Sequence, residues 1–149
     1  MSIKARIDDA QFLWEEGRYE GAFLSALVAV AATSRRIYPK PKYKDWKAFQ
    51  SFLNQGVFGR LSAEFRGKAL PAYYIFYEWV RCQLVHEGAL PVDLDFIPNT
   101  LNDPLTIRAG GDPECKLLFS QSWFHEIVHT VMTAPINADI FPQASDVSR

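Results

Sequence analysis

The sequence predicts an all-α bundle of about five helices, with one small β-hairpin before the last helix. Three observations predict it. Apolar side chains recur at steps of three and four in several separate stretches, the period of a helix with one buried side. Prolines and glycines fall mostly between those stretches, where they stop helices rather than break them. Hydrophobic residues make up 48% and charged residues 22% of the 149, enough apolar material for a real core. One domain is expected over residues 1–143. The polar tail 144–149 is expected to fray.

The first helix is expected over Ile3–Glu16, with Ile7, Ala10, Phe12, Leu13 and Trp14 near helical spacing and Gly17 as its stop. Tyr19–Ile37 reads as a long second helix, apolar almost all round through Ala22–Ala32 and ended by Pro39 and Pro41. Asp45 can N-cap a third, with Trp46, Phe49, Phe52 and Leu53 as its stripe. Gly56, Gly59 and Gly67 flank a short helix expected around Leu61–Phe65. Pro71 suits the first turn of a fourth helix, which carries Tyr73, Phe76, Tyr77, Val80 and Leu84 inward and stops at Gly88. Prolines 91, 98, 104 and 113 then punctuate a run of loops. Leu105–Arg108 and Cys115–Phe119 can pair across Gly110-Gly111. Ser120 or Ser122 can cap a last helix that runs to Thr133 and ends before Pro135.

Composition narrows the setting. The longest nearly apolar run, Ala22–Ala32, falls short of the ~20 residues that cross a membrane, so no membrane span is expected. No apolar stretch follows the charged N-terminus, so no secretory signal is expected. Cys82 and Cys115 lack paired-motif spacing, and free thiols in the cytoplasm are the expected setting. Net charge is −1 but uneven: residues 1–86 hold 13 basic and 8 acidic groups, residues 87–149 hold 3 and 9. The positive excess gathers in Arg35, Arg36, Lys40, Lys42, Lys44 and Lys47, against Asp45 alone. Interleaved with Tyr38, Tyr43 and Trp46, these residues suit phosphate tracking and base stacking. A solvated basic loop is the plainer alternative.

The fourth helix ends in Arg81-Cys82-Gln83-Leu84-Val85-His86-Glu87-Gly88. Five residues turn a helix so that its side chains stand about 140° apart, so Arg81 and His86 converge only if the last turn loosens or two such helices meet. Histidine titrates near neutrality and serves as general base or acid. Arginine keeps its proton and clamps a phosphate with two hydrogen bonds. Together they suit RNA cleavage by the 2′-hydroxyl, with the arginine stabilising the charged phosphorane. The plainer alternative pairs Arg81 with Glu78 and leaves His86 as a C-terminal cap. Tyr74 falls near Arg81 on the helical wheel, as a substrate contact or as core. The Arg81 charge beside Cys82 is expected to lower the thiol's pKa.

Tyr77–Gly88 resembles the R-x4–6-H signature of the HEPN superfamily, small all-α domains of prokaryotic toxins and defence systems. The resemblance implies a homodimer in which Arg81 and His86 of two subunits form a metal-independent ribonuclease site, without cofactor. It implies RNA as substrate, and it carries roles to Arg81 and His86 only. A cognate antitoxin or other protein is the further partner it suggests. The charge and ring placement of the chain, apart from the resemblance, gives Arg35, Arg36, Lys40, Lys42, Lys44 and Tyr74 as the expected RNA-binding residues. Active members usually carry a polar residue, often asparagine, directly after the arginine, and Cys82 stands there. A non-catalytic RNA-binding or protein-interaction module is the second expectation.

His125-Glu126-Ile127-Val128-His129 matches H-E-x-x-H, whose histidines fall one turn apart and can hold zinc with the glutamate as base. A third ligand is wanting: downstream stand only Asp139 and Asp146, and position 135 is proline. The helix is therefore read as packing, no metal site is expected, and a zinc hydrolase is the distant third reading.

Overall fold

The computed structural model describes residues 2–110 and 116–142, so the predicted tail, Gly111 and Cys115 lie outside the described residues. The all-α expectation is overturned. The protein is mixed α/β: the described residues are 57% helical and 15% strand, with one two-stranded and one three-stranded sheet among them. Its contacts divide into two compact units, Met1–Phe49 with Phe124–Arg149, and Gln50–Trp123.

In the first unit, α1 (Ile3–Glu15) starts at Ser2, whose hydroxyl accepts from the Ala5 N–H at 3.2 Å. It buries Ile3, Ile7 and Ala10 at helical steps and packs on α2 (Tyr19–Ile37). Gly17 takes φ +76°, the left-handed turn that lets the chain reverse between them. The Ser25 hydroxyl donates to the Arg6 carbonyl at 2.9 Å and pins the pair. Small residues let α2 sit deep: Ala22, Ala26 and Ala29 are fully buried beside Phe23, Leu27 and Val30. Trp14 stacks on Phe124 at 4.3 Å, and Phe23 meets Phe124 edge-on at 5.6 Å.

Further along, α3 (Asp45–Leu53) carries Asp45 inside its first turn rather than at the cap. A 3₁₀ turn, Pro135–Asn137, follows α7 (Ser122–Thr133) and buries Asn137 completely. The Asn137 amide donates to Thr33 Oγ1 and to the Val131 carbonyl, both at 2.9 Å. Its Oδ1 accepts from Arg36 at 3.0 Å.

In the second unit, the helix expected at Leu61–Phe65 is a strand. After the short α4 (Val57–Arg60), β1 (Ser62–Phe65) pairs antiparallel with β2 (Lys68–Pro71). The two residues between them, Arg66 (φ +52°) and Gly67 (φ +80°), are both left-handed, as a tight hairpin turn demands. Arginine is a poor choice there, which is why the turn escapes a reading by residue type. Two contacts hold it: a bidentate pair to Asp93 at 2.7 and 2.8 Å, and the Trp79 ring 4.1 Å beneath the guanidinium.

The fourth predicted helix exists, but its middle is widened. Three segments follow one another, α5 (Ala72–Ile75), a π segment Phe76–Arg81, and α6 (Cys82–Glu87). Gly88 ends the last at φ +73°. The pairing expected between Leu105–Arg108 and Cys115–Phe119 forms with shifted bounds, as β4 (Ile107–Gly110) antiparallel to β5 (Lys116–Ser120), with Gly110 inside β4. A further strand, in a stretch expected to be loop, is β3 (Leu94–Ile97), which runs parallel to β5 and makes it the central strand. Phe58, Phe76, Phe119 and Trp123 pack at ring distances of 4.9 to 5.6 Å as this unit's core. The Trp123 indole donates to the Thr106 carbonyl at 3.0 Å, so its one polar atom is satisfied inside.

Candidate functional site

The helix that ends at Gly88 buries Ala72, Ile75, Phe76, Val80 and Leu84, which fixes which side faces out. Arg81, the last residue of the π segment, is half-buried, and its Nε is buried without a hydrogen-bond partner. The alternative pairing with Glu78 does not form: among the described residues no ion pair holds Arg81. Its guanidinium lies 5.6 Å from the centre of the Tyr77 ring, a favourable but weak contact. The Arg6 Nε is likewise buried without a partner, but Arg6 pairs with Asp9 through Nη2, and the half-buried Arg35 pairs with Asp45.

His86 lies exposed in the last turn of α6. The widening runs through Phe76–Arg81 and ends there, marked by the Cys82 N–H bonding the Tyr77 carbonyl five residues back. Between Arg81 and His86 the helix is regular, so the two side chains keep the ~140° splay of ordinary α geometry. The loosened last turn that would have joined them within one chain is absent. Tyr77, not Tyr74, supplies the ring against Arg81. Each wide turn holds an extra residue, which shifts the wheel that had aligned positions 74 and 81. Tyr74 is half-buried on α5.

Cys82 departs from expectation. Burial pushes its thiol pKa up, and this outweighs the Arg81 charge that pulls the other way. It is a thiol beside the arginine, not an activated thiolate.

The basic segment is largely organised by its own chain. Arg35 binds the Asp45 carboxylate and donates to the carbonyls of Tyr38 at 3.2 Å and Tyr43 at 2.5 Å. Arg36 is held by Asp139 at 3.2 Å as well as by Asn137. Lys40 reaches Asp45 only at 3.8 Å, Lys42 lies over the Tyr43 ring at 5.5 Å, and Lys44 is exposed. In the H-E-x-x-H stretch, Ile127 and Val128 are buried and both histidines are exposed. Among the described residues no third His, Cys, Asp or Glu joins a cluster able to hold a metal ion.

Sequence reasoning misses the Arg66, Asp93 and Trp79 cluster. It borders a cavity of about 350 Å³ lined also by Glu64, Lys116 and Leu117. The Arg66 guanidinium holds the Asp93 carboxyl below the usual carboxylate range, against a smaller opposing effect of burial. The one available signal is a glycine after Arg66 between two short strand-length runs.

No helix among the described residues is long and apolar enough to cross a membrane. The chain matches no family model, no curated protein and no solved structure at a significant level of similarity.

Proposed function

We propose that the chain is a metal-independent ribonuclease in which Arg81 and His86 are the catalytic pair, completed by the same residues of a second copy. One observation carries it. Arg81 is a half-buried arginine with a buried, unpartnered Nε and, among the described residues, no carboxylate partner, on the same short helical stretch as an exposed histidine. Removing a guanidinium from water without an opposite charge is costly, and an incoming phosphate offsets that cost. The resemblance of Tyr77–Gly88 to the HEPN signature supports the same roles. The regular helix between the two side chains is why a second copy is part of the proposal: a twofold axis beside α6 brings two splayed pairs to one place.

In the mechanism, neutral His86 takes the proton of a 2′-hydroxyl, whose oxygen attacks the adjacent phosphorus. The bond from phosphorus to the 5′-oxygen breaks, that oxygen leaves as a hydroxyl by taking a proton from water, and Arg81 balances the charge that builds on the non-bridging oxygens. The test is cleavage of RNA in EDTA. Products should end in 2′,3′-cyclic phosphate, and DNA, which lacks the hydroxyl, should stay intact. His86→Ala should lower the rate by roughly 10²–10⁴, and Arg81→Lys should rescue Arg81→Ala only in part, because lysine lacks the planar fork. A sedimentation mass of one chain at micromolar concentration would remove the two-copy arrangement. Cleavage at the wild-type rate by His86→Ala would sink the assignment. A wild type that binds RNA without cutting it would leave a binding module instead.

A further inference from the structure

A second surface, on the unit that does not contain Arg81, is built from the turn between α2 and α3. This turn holds Lys40, Lys42, Lys44 and, just inside α3, Trp46 and Lys47. All five are exposed, Trp46 with 46% of its surface open. A single exposed ring is ordinary on a protein surface; what marks Trp46 is the exposed lysines on either side of it in the chain.

The turn is held by one residue beneath it. Arg35 bonds both the Tyr38 and Tyr43 carbonyls and the Asp45 carboxylate, and the Tyr38 and Tyr43 rings meet edge-on at 5.2 Å. This arrangement changes the charge balance. Asp45 is the only acidic residue between Arg35 and Lys47, and Arg35 has already matched it. Arg36 is likewise matched by Asp139. Lys40 reaches the same Asp45 carboxylate at 3.8 Å. Among the described residues Lys42, Lys44 and Lys47 have no ion pair. The arginines are therefore the scaffold of this surface, and the lysines are its free charge.

We infer that the Lys40–Lys47 surface binds single-stranded RNA, with Lys42, Lys44 and Lys47 on phosphates and the Trp46 ring stacking on a base. Lysines alone would suit any polyanion. The open indole beside them favours a strand with unstacked bases over a duplex or an acidic peptide, because stacking needs an accessible base face. Binding here requires no cleavage at Arg81 and His86, so it is read separately from that activity.

The experiment uses the full chain carrying His86→Ala and a labelled oligouridine of about 12 nucleotides, followed by fluorescence anisotropy between about 50 and 200 mM salt. Replacing Lys42, Lys44 and Lys47 together by alanine should make the slope of log affinity against log salt shallower by about 2, near 0.7 for each phosphate that the variant no longer neutralises. Trp46→Ala should weaken binding by about 5- to 150-fold and leave that slope unchanged. All four positions are on the surface, and an unchanged circular dichroism spectrum and melting temperature would show that the variants fold. Unchanged affinity and slope in the triple lysine variant would overturn the inference. Equal binding of polyglutamate and oligouridine, untouched by Trp46→Ala, would overturn it in favour of an acidic protein partner.

Discussion

Replacing Asn137 by alanine should destabilise the protein far more than its position in a short turn near the end of the described chain suggests. Three side-chain hydrogen bonds disappear together: two from its amide, to Thr33 Oγ1 and the Val131 carbonyl, and one accepted from Arg36. A bond of this kind contributes about 0.5–1.5 kcal/mol net, and a buried partner left unsatisfied costs about 1–3 kcal/mol. Thr33 and Val131 are fully buried, so water cannot replace the amide. The Arg36 guanidinium keeps Asp139, and the Val131 carbonyl keeps a long bond from the Ala134 N–H at 3.4 Å. These residual partners pull the sum to about 2–4 kcal/mol. For a chain of this length that is a fall in melting temperature of about 5–15 °C, followed by circular dichroism. Asn137→Asp tests the cause: it keeps an oxygen for Arg36 but loses both donors, so it should lose most of the same stability. A loss under about 0.5 kcal/mol for Asn137→Ala would refute the claim that this network ties the 3₁₀ turn to α2.

Asp93→Asn should lower stability at neutral pH. The sign follows from its depressed carboxyl: the stabilising pair with Arg66 is present above the unfolded value of about 3.9 and is lost as pH falls through the lower folded value. Denaturant titrations of the two proteins should therefore converge in acid, and a gap that persists there would rule out the ion pair as the cause. Cys82, in a Cys115→Ser background, should react with a thiol reagent more slowly than free cysteine at pH 8, because burial favours the protonated form. Faster reaction than free cysteine would restore the activated thiolate. Within the proposed site, Tyr77→Leu should remove the ring beside Arg81 and weaken RNA cleavage less than Arg81→Ala does. Equal losses in the two would make the ring as essential as the charge.

What the sequence reveals depends on how local the cause is. The bounds of α2 follow directly from its apolar run and the prolines beyond it, and those of α1 from Gly17 and the spacing of Ile7 and Ala10, although Phe12 of the same expected stripe is exposed. The β4–β5 hairpin follows from strand-forming residues on both sides of Gly110. The β1–β2 hairpin is hidden because Arg66 occupies a left-handed position on the strength of Asp93, 27 residues away. The strand β3 is hidden for a related reason: Leu94–Ile97 pairs in parallel with Leu117–Ser120, and no short-range pattern records such a partner. The motif Arg81–His86 is legible as spacing. The state of Arg81 is not, because both the widened turn that ends at it and the missing carboxylate are tertiary facts.

The charge asymmetry of the chain gains a different meaning in the fold. In sequence, the net charge of −1 gives no overall pull on nucleic acid, and the split into a basic 1–86 and an acidic 87–149 is a hint about partners. In the structure, part of that imbalance closes on itself: Arg36 meets Asp139 and Arg66 meets Asp93, each joining the basic half to the acidic one within a single compact unit. Folding thereby removes two of the arginines from any census of groups available to a ligand, and Arg35 follows through Asp45. The basic excess of residues 1–86 therefore overstates how many cations stand unpaired for an anionic ligand. The cations that folding leaves without an ion pair include a half-buried one beside a helix end, Arg81, and three exposed ones beside an open indole, Lys42, Lys44 and Lys47. A buried unmatched charge is suited to one phosphate held in a fixed geometry, whereas exposed lysines are suited to many phosphates held loosely. Cleavage needs the first property and capture of a strand needs the second. For that reason the two proposals call for different measurements, a rate for Arg81 and a salt dependence for the lysines.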